Sequence, residues 1–518
     1  MLNGVSTSRH RFLSLWLMRL ATDRIVRQRS APDPRPLVVT GRRGNVERLT
    51  AVDAAAAELG LKPGLALAEA RARYPDLAVV AEHPADDRRL LDDIADWCQR
   101  YTPLLAVDPP DGLLLDIAGC AHLYGGEDRL LGDLLVRIAG FGFAVRAAIA
   151  STIGTAFAAA RFGAAGIVVP GGERAALGPL PLAALRLPDE TVAALRRVGL
   201  KRVGDILDLP RAPLAARFGD DLLRQLARAL GSEREPLTPL LPVAAYVAEQ
   251  PFAEPIARED DVLRVIERLA ARLKPMLERR GEGARLIELA LFRTDGAVRR
   301  IVISTSRPVR DPPDVRALYV ERLASLADAL DPGFGFDLTR LSVLVAEPCP
   351  PEQIGLGERV DDADLDRLID RLSARFGSRR VMRLIANDSH IPELAATPLP
   401  AQAGTALDAG WAAFRHFRSG AELSPRPLRL LVKPEPIEAI AAIPDGPPVR
   451  FRWRRAFHEV VAADGPERIE GAWWSEEGGP ARDYFRVEDK AGHRFWLFRA
   501  GLYRSTVQPQ WFLHGTFA

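Results

Sequence analysis

The carboxylates best placed for chemistry lie in the stretch VDPPDGLLLDIAG, residues 107–119. An acidic turn at Asp111 precedes three leucines and Asp116, the pattern of a buried strand that delivers a carboxylate to a metal. Phosphoryl transfer to a growing nucleic acid needs two divalent metals about 4 Å apart, held by carboxylates on adjacent strands. Gly112, beside Asp111, has no side chain, and the nearest apolar partner strand, residues 13–18, has no acidic residue. Because one carboxylate cannot hold two metals, we interpret this stretch as the outline of a catalytic site, in which Asp116 begins a turn.

Motifs for other chemistries are missing from the sequence. It has no GxxxxGK[ST] loop, no GxGxxG and no HExxH. The cysteines Cys98, Cys120 and Cys349 are far apart and match neither a zinc site nor a disulfide framework. We therefore expect no metal cofactor and a reducing compartment.

The composition is that of a soluble globular protein of several domains. The chain has 518 residues, which predicts three to five domains, with 47% hydrophobic and 27% charged residues. A net charge of +2 gives no argument for a nucleic-acid partner, so any such surface must come from local patches. The apolar run at residues 12–18 is too short to span a bilayer and is predicted to be a strand. No membrane association and a cytoplasmic location are expected.

The apolar pattern divides the chain into regions of different class. From residue 11 to about 166, short apolar runs alternate with stretches whose apolar residues recur at spacings of three and four, which predicts an α/β domain. The last 68 residues carry 14 of the 35 aromatic residues, which predicts a small β-rich domain with its own core. The predicted regions are residues 1–170 (α/β), 171–235 (helical), 240–347 (α+β), 348–410 (linker and a helix) and 411–518 (β-rich).

A glycine-bracketed turn lies in the helical region, in LRRVGLKRVGDILDLP. Gly199 and Gly204 flank Lys201 and Arg202, which resembles half of a helix–hairpin–helix whose backbone amides bind a DNA phosphate. Glycine also ends many ordinary helices, so both interpretations stay open.

Two further basic segments are candidates for DNA binding. Arg299, Arg300 and Arg307 lie on or beside one predicted strand, where they could hold a phosphate backbone or form a solvated face. Arg452 and Arg454 alternate with aromatic residues in RFRWRR, a pattern that suits stacking on single-stranded nucleic acid. The same alternation is typical of a strand with an apolar inner face and a basic outer face.

The order of these segments resembles a Y-family translesion DNA polymerase over the first 350 residues. The resemblance rests on residues 36–77, on GLLLDIAGCAHLYGG, on AVRAAIASTIGTAFAAA and on the glycine hairpin. More narrowly, LWLMRLATDR at the start and FWLFRAGLYR with WFLHGTFA at the end are similar to ImuB-type proteins, the non-catalytic branch. The resemblance implies a multidomain α/β and α+β fold, with palm, fingers, thumb and little finger followed by a C-terminal β-rich domain.

The resemblance also implies that the catalytic positions are degenerate. Leu15 and Leu17 stand where an active enzyme has acidic palm residues, and the Ser-x-Asp-Glu strand falls on residues 109–112, which keep only Asp111. Ala54 and Ala57 stand where the fingers of an active enzyme hold the triphosphate. We expect a pseudo-polymerase; an active metal-dependent polymerase that uses Asp111, Asp116 and other ligands is the alternative.

The partners expected from the resemblance are those of a mutagenic translesion complex induced by DNA damage. They are primer–template or damaged DNA, the sliding clamp, a RecA-like accessory protein and an error-prone C-family DNA polymerase, at the nucleoid. A DNA-binding protein without polymerase partners is a third possibility. A degenerate clamp-binding peptide without its terminal aromatic, or else a plain linker, is formed by Gln353, Ile354, Gly355, Leu356 and Gly357.

Overall fold

The computed structural model describes residues 10–29, 31–241, 244–326, 330–349, 360–403, 426–427, 429–443, 446–471, 480–501 and 509–517. The chain divides into two compact units, Met1–Gly355 and Leu356–Ala518. None of the helices in the described ranges is long and apolar enough to cross a membrane.

The described part of the first unit contains both strands and helices, in the following order. They are β1 (Phe12–Leu17), α1 (Leu20–Gln28), β2 (Leu37–Arg43), β3 (Val46–Val52), α2 (Ala54–Glu58), α3 (Leu67–Arg73), β4 (Ala78–Ala81), α4 (Pro84–Cys98), β5 (Leu105–Asp108), β6 (Gly112–Asp116), α5 (Glu127–Gly140), β7 (Val145–Ala150), α6 (Ile153–Phe162), β8 (Gly166–Ile167), α7 (Glu173–Leu177), α8 (Asp189–Arg197), α9 (Gly204–Leu207), α10 (Arg211–Phe218), α11 (Asp220–Leu230), β9 (Tyr246–Ile256), α12 (Glu259–Arg279), β10 (Glu282–Arg293), β11 (Val298–Val309), α13 (Pro312–Ala324) and β12 (Phe336–Pro348).

A five-stranded sheet with the order β5-β6-β1-β7-β8 forms the centre of this unit. Strands β1 and β6 are buried along almost their whole length, because helices cover both faces of the sheet. On one face Leu13, Leu15 and Leu17 pack in the same core as α4 and α5. On the other face α6 packs against β1 and β7. The two faces therefore separate odd from even positions of β1.

Helix α6 is held at its start by hydroxyl groups. The Thr155 backbone N–H donates to Thr152 Oγ1, which caps the helix, at 3.1 Å. Both hydroxyls donate to the Ala229 carbonyl of α11, at 2.8 and 2.9 Å. These bonds fix the helix on the sheet, and its last turn carries Arg161.

Two smaller sheets accompany the central one: the first is formed between β1 and β5 in the sequence, and the second follows the central sheet. The first has the order β3-β2-β4 and packs with α2 and α3. The second has the order β11-β10-β12-β9, and α12 and α13 pack against it.

The four-stranded sheet is joined to the central domain by apolar packing and by buried ion pairs. Phe292 and Leu338 belong to the same apolar core as Trp97 of α4. The Arg100 guanidinium donates to both carboxylate oxygens of Asp337, at 2.7 and 3.1 Å, and its side chain is 5% exposed. Because a desolvated guanidinium needs its counter-charge, these contacts fix the sheet on α4.

The described part of the second unit contains α14 (Val360–Phe376), β13 (Met382–Ala386), β14 (Ala396–Pro400), β15 (Arg429–Ala441), β16 (Pro448–Trp453), β17 (Ala456–Ile469), β18 (Arg482–Asp489), β19 (Arg494–Ala500) and β20 (Gln510–Thr516). Strands β15 to β20 close into a barrel in sequence order. Phe451, Phe485, Phe495 and Leu513 share its core. The predicted C-terminal β-rich domain is confirmed.

Replacing Asp337 by Ala is expected to lower the free energy of unfolding by about 3 kcal/mol, because Arg100 would stay buried without its charge partner. Denaturant unfolding of the whole chain measures this change. The matched control is Glu278→Ala, whose carboxylate is 47% exposed and lies 3.9 Å from Lys274, and which should change the value by less than about 0.5 kcal/mol. A decrease at Asp337 as small as at Glu278 would contradict the structural role of this pair.

Candidate functional site

Asp111 lies in the turn that leads into β6, at one end of the central sheet. Its Oδ2 accepts the indole N–H of Trp16 at 3.0 Å, and its Oδ1 accepts Arg161 Nη1–H at 2.8 Å. Its side chain is about one quarter exposed. Both carboxylate oxygens are therefore bonded to groups of the protein itself.

Arg161 is the centre of this cluster. Its Nη2 lies 3.4 Å from Asp108 Oδ2, so one guanidinium bridges two carboxylates. Its charge also stands 4.6 Å from the centre of the Phe157 ring and 5.4 Å from that of Trp16. With 12% of its side chain exposed, the guanidinium is nearly desolvated, which strengthens its attraction for both carboxylates.

The alternation of β1 decides which of its residues faces Asp111. Trp16 pairs with Gly112 in the register of β1 and β6 and lies on the α6 face of the sheet. Leu15 and Leu17 point to the opposite face and are fully buried in the core with α4 and α5. The structure thus brings together Trp16, Asp111 and Gly112, and it turns the side chains of Leu15 and Leu17 to the opposite face, although the Leu17 backbone N–H donates to the Asp111 carbonyl oxygen at 2.9 Å.

Because Gly112 has no side chain, the Arg161 guanidinium fits next to it. A Cβ at this position would lie 2.7 Å from Arg161 Nη2 and 3.0 Å from the Asp108 carbonyl oxygen. An acidic residue at position 112 would therefore require the guanidinium to move.

These residues do not fit the two-metal centre that phosphoryl transfer requires. The carboxylates in the cluster are Asp108 and Asp111, and a cation already binds both. Over the described residues, no group of three or more His, Cys, Asp or Glu side chains is placed to hold a metal. A metal at Asp111 would have to displace Arg161.

Burial raises the pKa of Asp108 above its ordinary value of 3.8, and the neighbouring guanidinium groups of Arg161 and Arg186 oppose the rise. Because the pKa of the folded state is the higher one, protonation of Asp108 favours folding at low pH. This contribution is lost as the pH rises from 3.8 through the folded value.

Sequence reasoning missed Trp16, Asp108 and Arg161 as members of the site. Alternation along β1 was the signal for Trp16, since an even position must share the face that does not pack on α4. Arg161 gave no local signal, because it meets Asp111 only through the packing of α6.

The glycine-bracketed turn lies between α8 and α9, and Gly199 adopts a φ of +91°. Gly204 begins α9, and the side chains of Lys201 and Arg202 are exposed. Their backbone N–H groups donate to the Asp205 carboxylate, both at 2.8 Å, and these bonds lower its pKa. The Asp205 carboxylate thus accepts the two backbone N–H groups that a DNA phosphate would otherwise accept in a helix–hairpin–helix.

The three arginines on or beside β11 have different surroundings. Arg300 donates to Glu288 Oε1 at 2.7 Å and to the Gln99 side chain at 2.9 Å. Arg299 is exposed at the rim of a cavity of about 320 Å³, and Arg307 is half-buried. The structure does not bring them together as one basic surface.

The other predicted positions belong to other segments of the chain. Ala54 and Ala57 are exposed on α2. Arg452 lies 3.4 Å from Glu438, and Arg454 donates to Glu435 at 3.0 Å. The clamp-binding-like peptide, Gln353 to Gly357, lies outside the described residues.

Comparison with known proteins gives matches in sequence. Residues 26–161 match the model of the impB/mucB/samB family, IMS. Over 477 residues the chain is 42% identical to Protein ImuB of Caulobacter vibrioides strain NA1000 / CB15N, an alignment that spans 89% of this chain and 100% of that protein. It is 27% identical over 224 residues to DNA polymerase IV of Opitutus terrae, spanning 41% of this chain and 56% of that one.

Among solved structures, the chain matches the insertion ternary complex of Dbh DNA polymerase. The superposition covers 65% of this chain and 99% of that one, with a TM-score of 0.39 and 14% sequence identity.

Replacing Arg161 by Met keeps an unbranched apolar stem at this position and removes the guanidinium with its charge. It is expected to lower the free energy of unfolding by about 2 kcal/mol at pH 7, because Asp108 and Asp111 would be left without their common counter-charge. Without Arg161 the pKa of Asp108 rises further, so the destabilisation should shrink as the pH falls toward 4.

Urea unfolding between pH 4 and pH 8 measures this profile. Arg89→Met is the control, since that side chain is 77% exposed and pairs with Asp86 at the surface. A destabilisation by Arg161→Met that does not depend on pH would contradict the coupling of Arg161 to the carboxylates.

Proposed function

Because this chain belongs to the ImuB family, we propose that it is a non-catalytic scaffold in mutagenic translesion synthesis induced by DNA damage. In this proposal a polymerase-like body holds primer–template DNA. Other contacts bind the sliding clamp, a RecA-like accessory protein and an error-prone C-family DNA polymerase. The protein would act in the cytoplasm, at the nucleoid.

The observation that carries the non-catalytic part is the bridge from Arg161 to Asp111 and Asp108. A translesion polymerase needs carboxylates at this point that are free to hold two metals. A buried guanidinium and an indole N–H instead satisfy Asp111, and Gly112 leaves room for the guanidinium. Because Arg161 and Trp16 occupy both oxygens of Asp111, we infer that this carboxylate stabilises the domain and does not bind a catalytic metal.

Tethering is the mechanism that suits such a body. A scaffold raises the effective concentration of a weakly associating enzyme at one DNA site without catalysing any step itself. Several weak contacts, including a clamp peptide without its aromatic anchor, are then sufficient together.

Helix α14 supports docking of a protein partner on the second unit. Leu365, Leu368 and Phe376 follow one face of the helix and are about half exposed. The buried face is instead partly polar, with Asp370 and Ser373. An exposed apolar face on a short helix is typical of an interaction site.

A row of arginines lies beside this face, of which Arg367 pairs with Asp364 at 3.3 Å. Arg367, Arg371 and Arg375 are four residues apart and therefore line one side of the helix. This side borders the exposed apolar face. The helix begins three residues after the clamp-binding-like peptide, so an enzyme docked on it would be held next to the clamp. We propose that this partner is the C-family polymerase.

We expect the purified protein to bind primer–template DNA without extending it, in magnesium or in manganese, on undamaged and abasic templates. Gel-based primer extension with binding measured on the same sample tests this, and Asp111→Ala should leave binding unchanged. Extension that is abolished by Asp111→Ala would mean that the protein is an active translesion polymerase.

Replacing Leu365 and Leu368 by Glu is expected to weaken capture of the C-family polymerase by about tenfold or more, because buried apolar anchors carry much of the affinity of such a face. Pull-down with the full chain measures the change in capture. Ile443→Glu, at a side chain that is 67% exposed elsewhere in the unit, is the control. Capture equal to that of the unchanged protein would remove α14 from the interface.

A further inference from the structure

The tip of the β16–β17 hairpin consists of two arginines in a left-handed conformation. Trp453 pairs with Ala456, so Arg454 and Arg455 form a two-residue turn, with φ values of +45° and +72°. Turns of this kind require positive φ at both positions and are normally made by Asn-Gly. Residues with a side chain adopt such a conformation only at a cost in free energy.

The cost indicates that the arginines are present for their charge and not for the turn. A residue held in a disfavoured conformation is a reason to look for function at that place. Arg454 is additionally fixed by Glu435, and its guanidinium lies 4.8 Å from the centre of the Trp453 ring. Because Trp453 itself donates to Glu435 at 2.6 Å, the base of the tip is rigid.

An exposed aromatic ring lies directly beside the tip. Phe457 is 76% exposed, and it pairs across the hairpin with Arg452. The Arg452 guanidinium lies 5.6 Å from the centre of the Phe457 ring. The neighbouring Phe451 points into the barrel and is buried, so Phe457 is not needed for the core.

The charges around this ring suit a phosphate backbone. Arg450 and Arg455 are exposed, and Arg452 is 44% exposed although it lies 3.4 Å from Glu438. Opposite Arg450, Glu459 is already paired with Lys490 at 2.8 Å. In a single strand, the phosphates can contact the arginines while an unpaired base stacks on the ring.

We propose that the β16–β17 hairpin is a binding site for single-stranded nucleic acid, in which one base stacks on Phe457 and phosphates contact Arg450, Arg452 and Arg455. A duplex fits less well, because its bases are stacked on one another and cannot reach a side-chain ring. The proposal gives the predicted DNA contact of Arg452 its neighbours Arg450, Arg455 and Phe457, whereas Arg454 is bonded to Glu435 and supports the turn. It does not depend on whether the first unit is catalytic.

The test uses a double substitution that suits the turn better than the present residues. Arg454→Asn with Arg455→Gly gives the residues that this turn prefers, so thermal unfolding should show an unchanged or more stable protein. Affinity of the full chain for a fluorescent oligothymidylate of about 16 nucleotides should nevertheless fall. The dependence of log K on log salt should become shallower by about 0.7 for each phosphate that the variant no longer binds.

Phe457→Ala is the second variant and should weaken binding by about tenfold without changing the salt dependence. Val432→Ala is the matched control, at a side chain that is 95% exposed on β15, and it should bind like the unchanged protein.

Two outcomes would overturn the proposal. One is that the double variant and Phe457→Ala both bind the oligonucleotide with unchanged affinity and salt dependence. The other is that they no longer capture the C-family polymerase and keep oligonucleotide binding, which would make the hairpin a protein-binding surface. Primer extension and primer–template binding are measured on the same variants. A result against the hairpin site can therefore be told apart from a result against the scaffold function.

Discussion

The interaction on which the centre of the molecule depends is the bridge from Arg161 to Asp111 and Asp108. Two carboxylates at one end of a buried sheet repel each other unless a positive charge lies between them. This chain solves the problem with a guanidinium from its own helix α6. The lack of a side chain at Gly112 and the Trp16 indole follow from that solution, since one leaves space and the other satisfies the remaining oxygen.

The predicted fold class is confirmed: a multidomain α/β and α+β region is followed by a C-terminal β-rich domain. Strands such as β1 and β6 could be predicted because a continuous apolar run fits a strand that is covered on both faces. Strand β5 was not predicted, because an apolar run as short as LAVD is too brief to indicate a strand, and it becomes one by pairing with β6. Closure of the barrel likewise depends on pairing between distant strands, β15 and β20.

The candidate site was only partly predictable. Asp111 and Gly112 were visible in the sequence, because a single carboxylate beside a glycine is an unusual end for a catalytic strand. The choice of Leu15 and Leu17 came from resemblance and did not include the alternation of the strand, which places Trp16 beside Asp111. Arg161 could not be predicted, since it meets Asp111, 50 residues away in the sequence, only through tertiary packing. Asp205 bonds the amides three and four residues before it, a local contact that the sequence reasoning overlooked.

The most direct measurement of the central claim is manganese binding at Asp111. Electron paramagnetic resonance of Mn²⁺ can be recorded with the full chain, primer–template DNA and a nucleotide, and compared with Asp111→Asn. If Arg161 holds the place of the metals, the two proteins should bind the same amount of Mn²⁺ with the same spectrum. A population of bound Mn²⁺ that disappears in Asp111→Asn would contradict the account, because Asp111 would then be a metal ligand and Arg161 a group that moves aside.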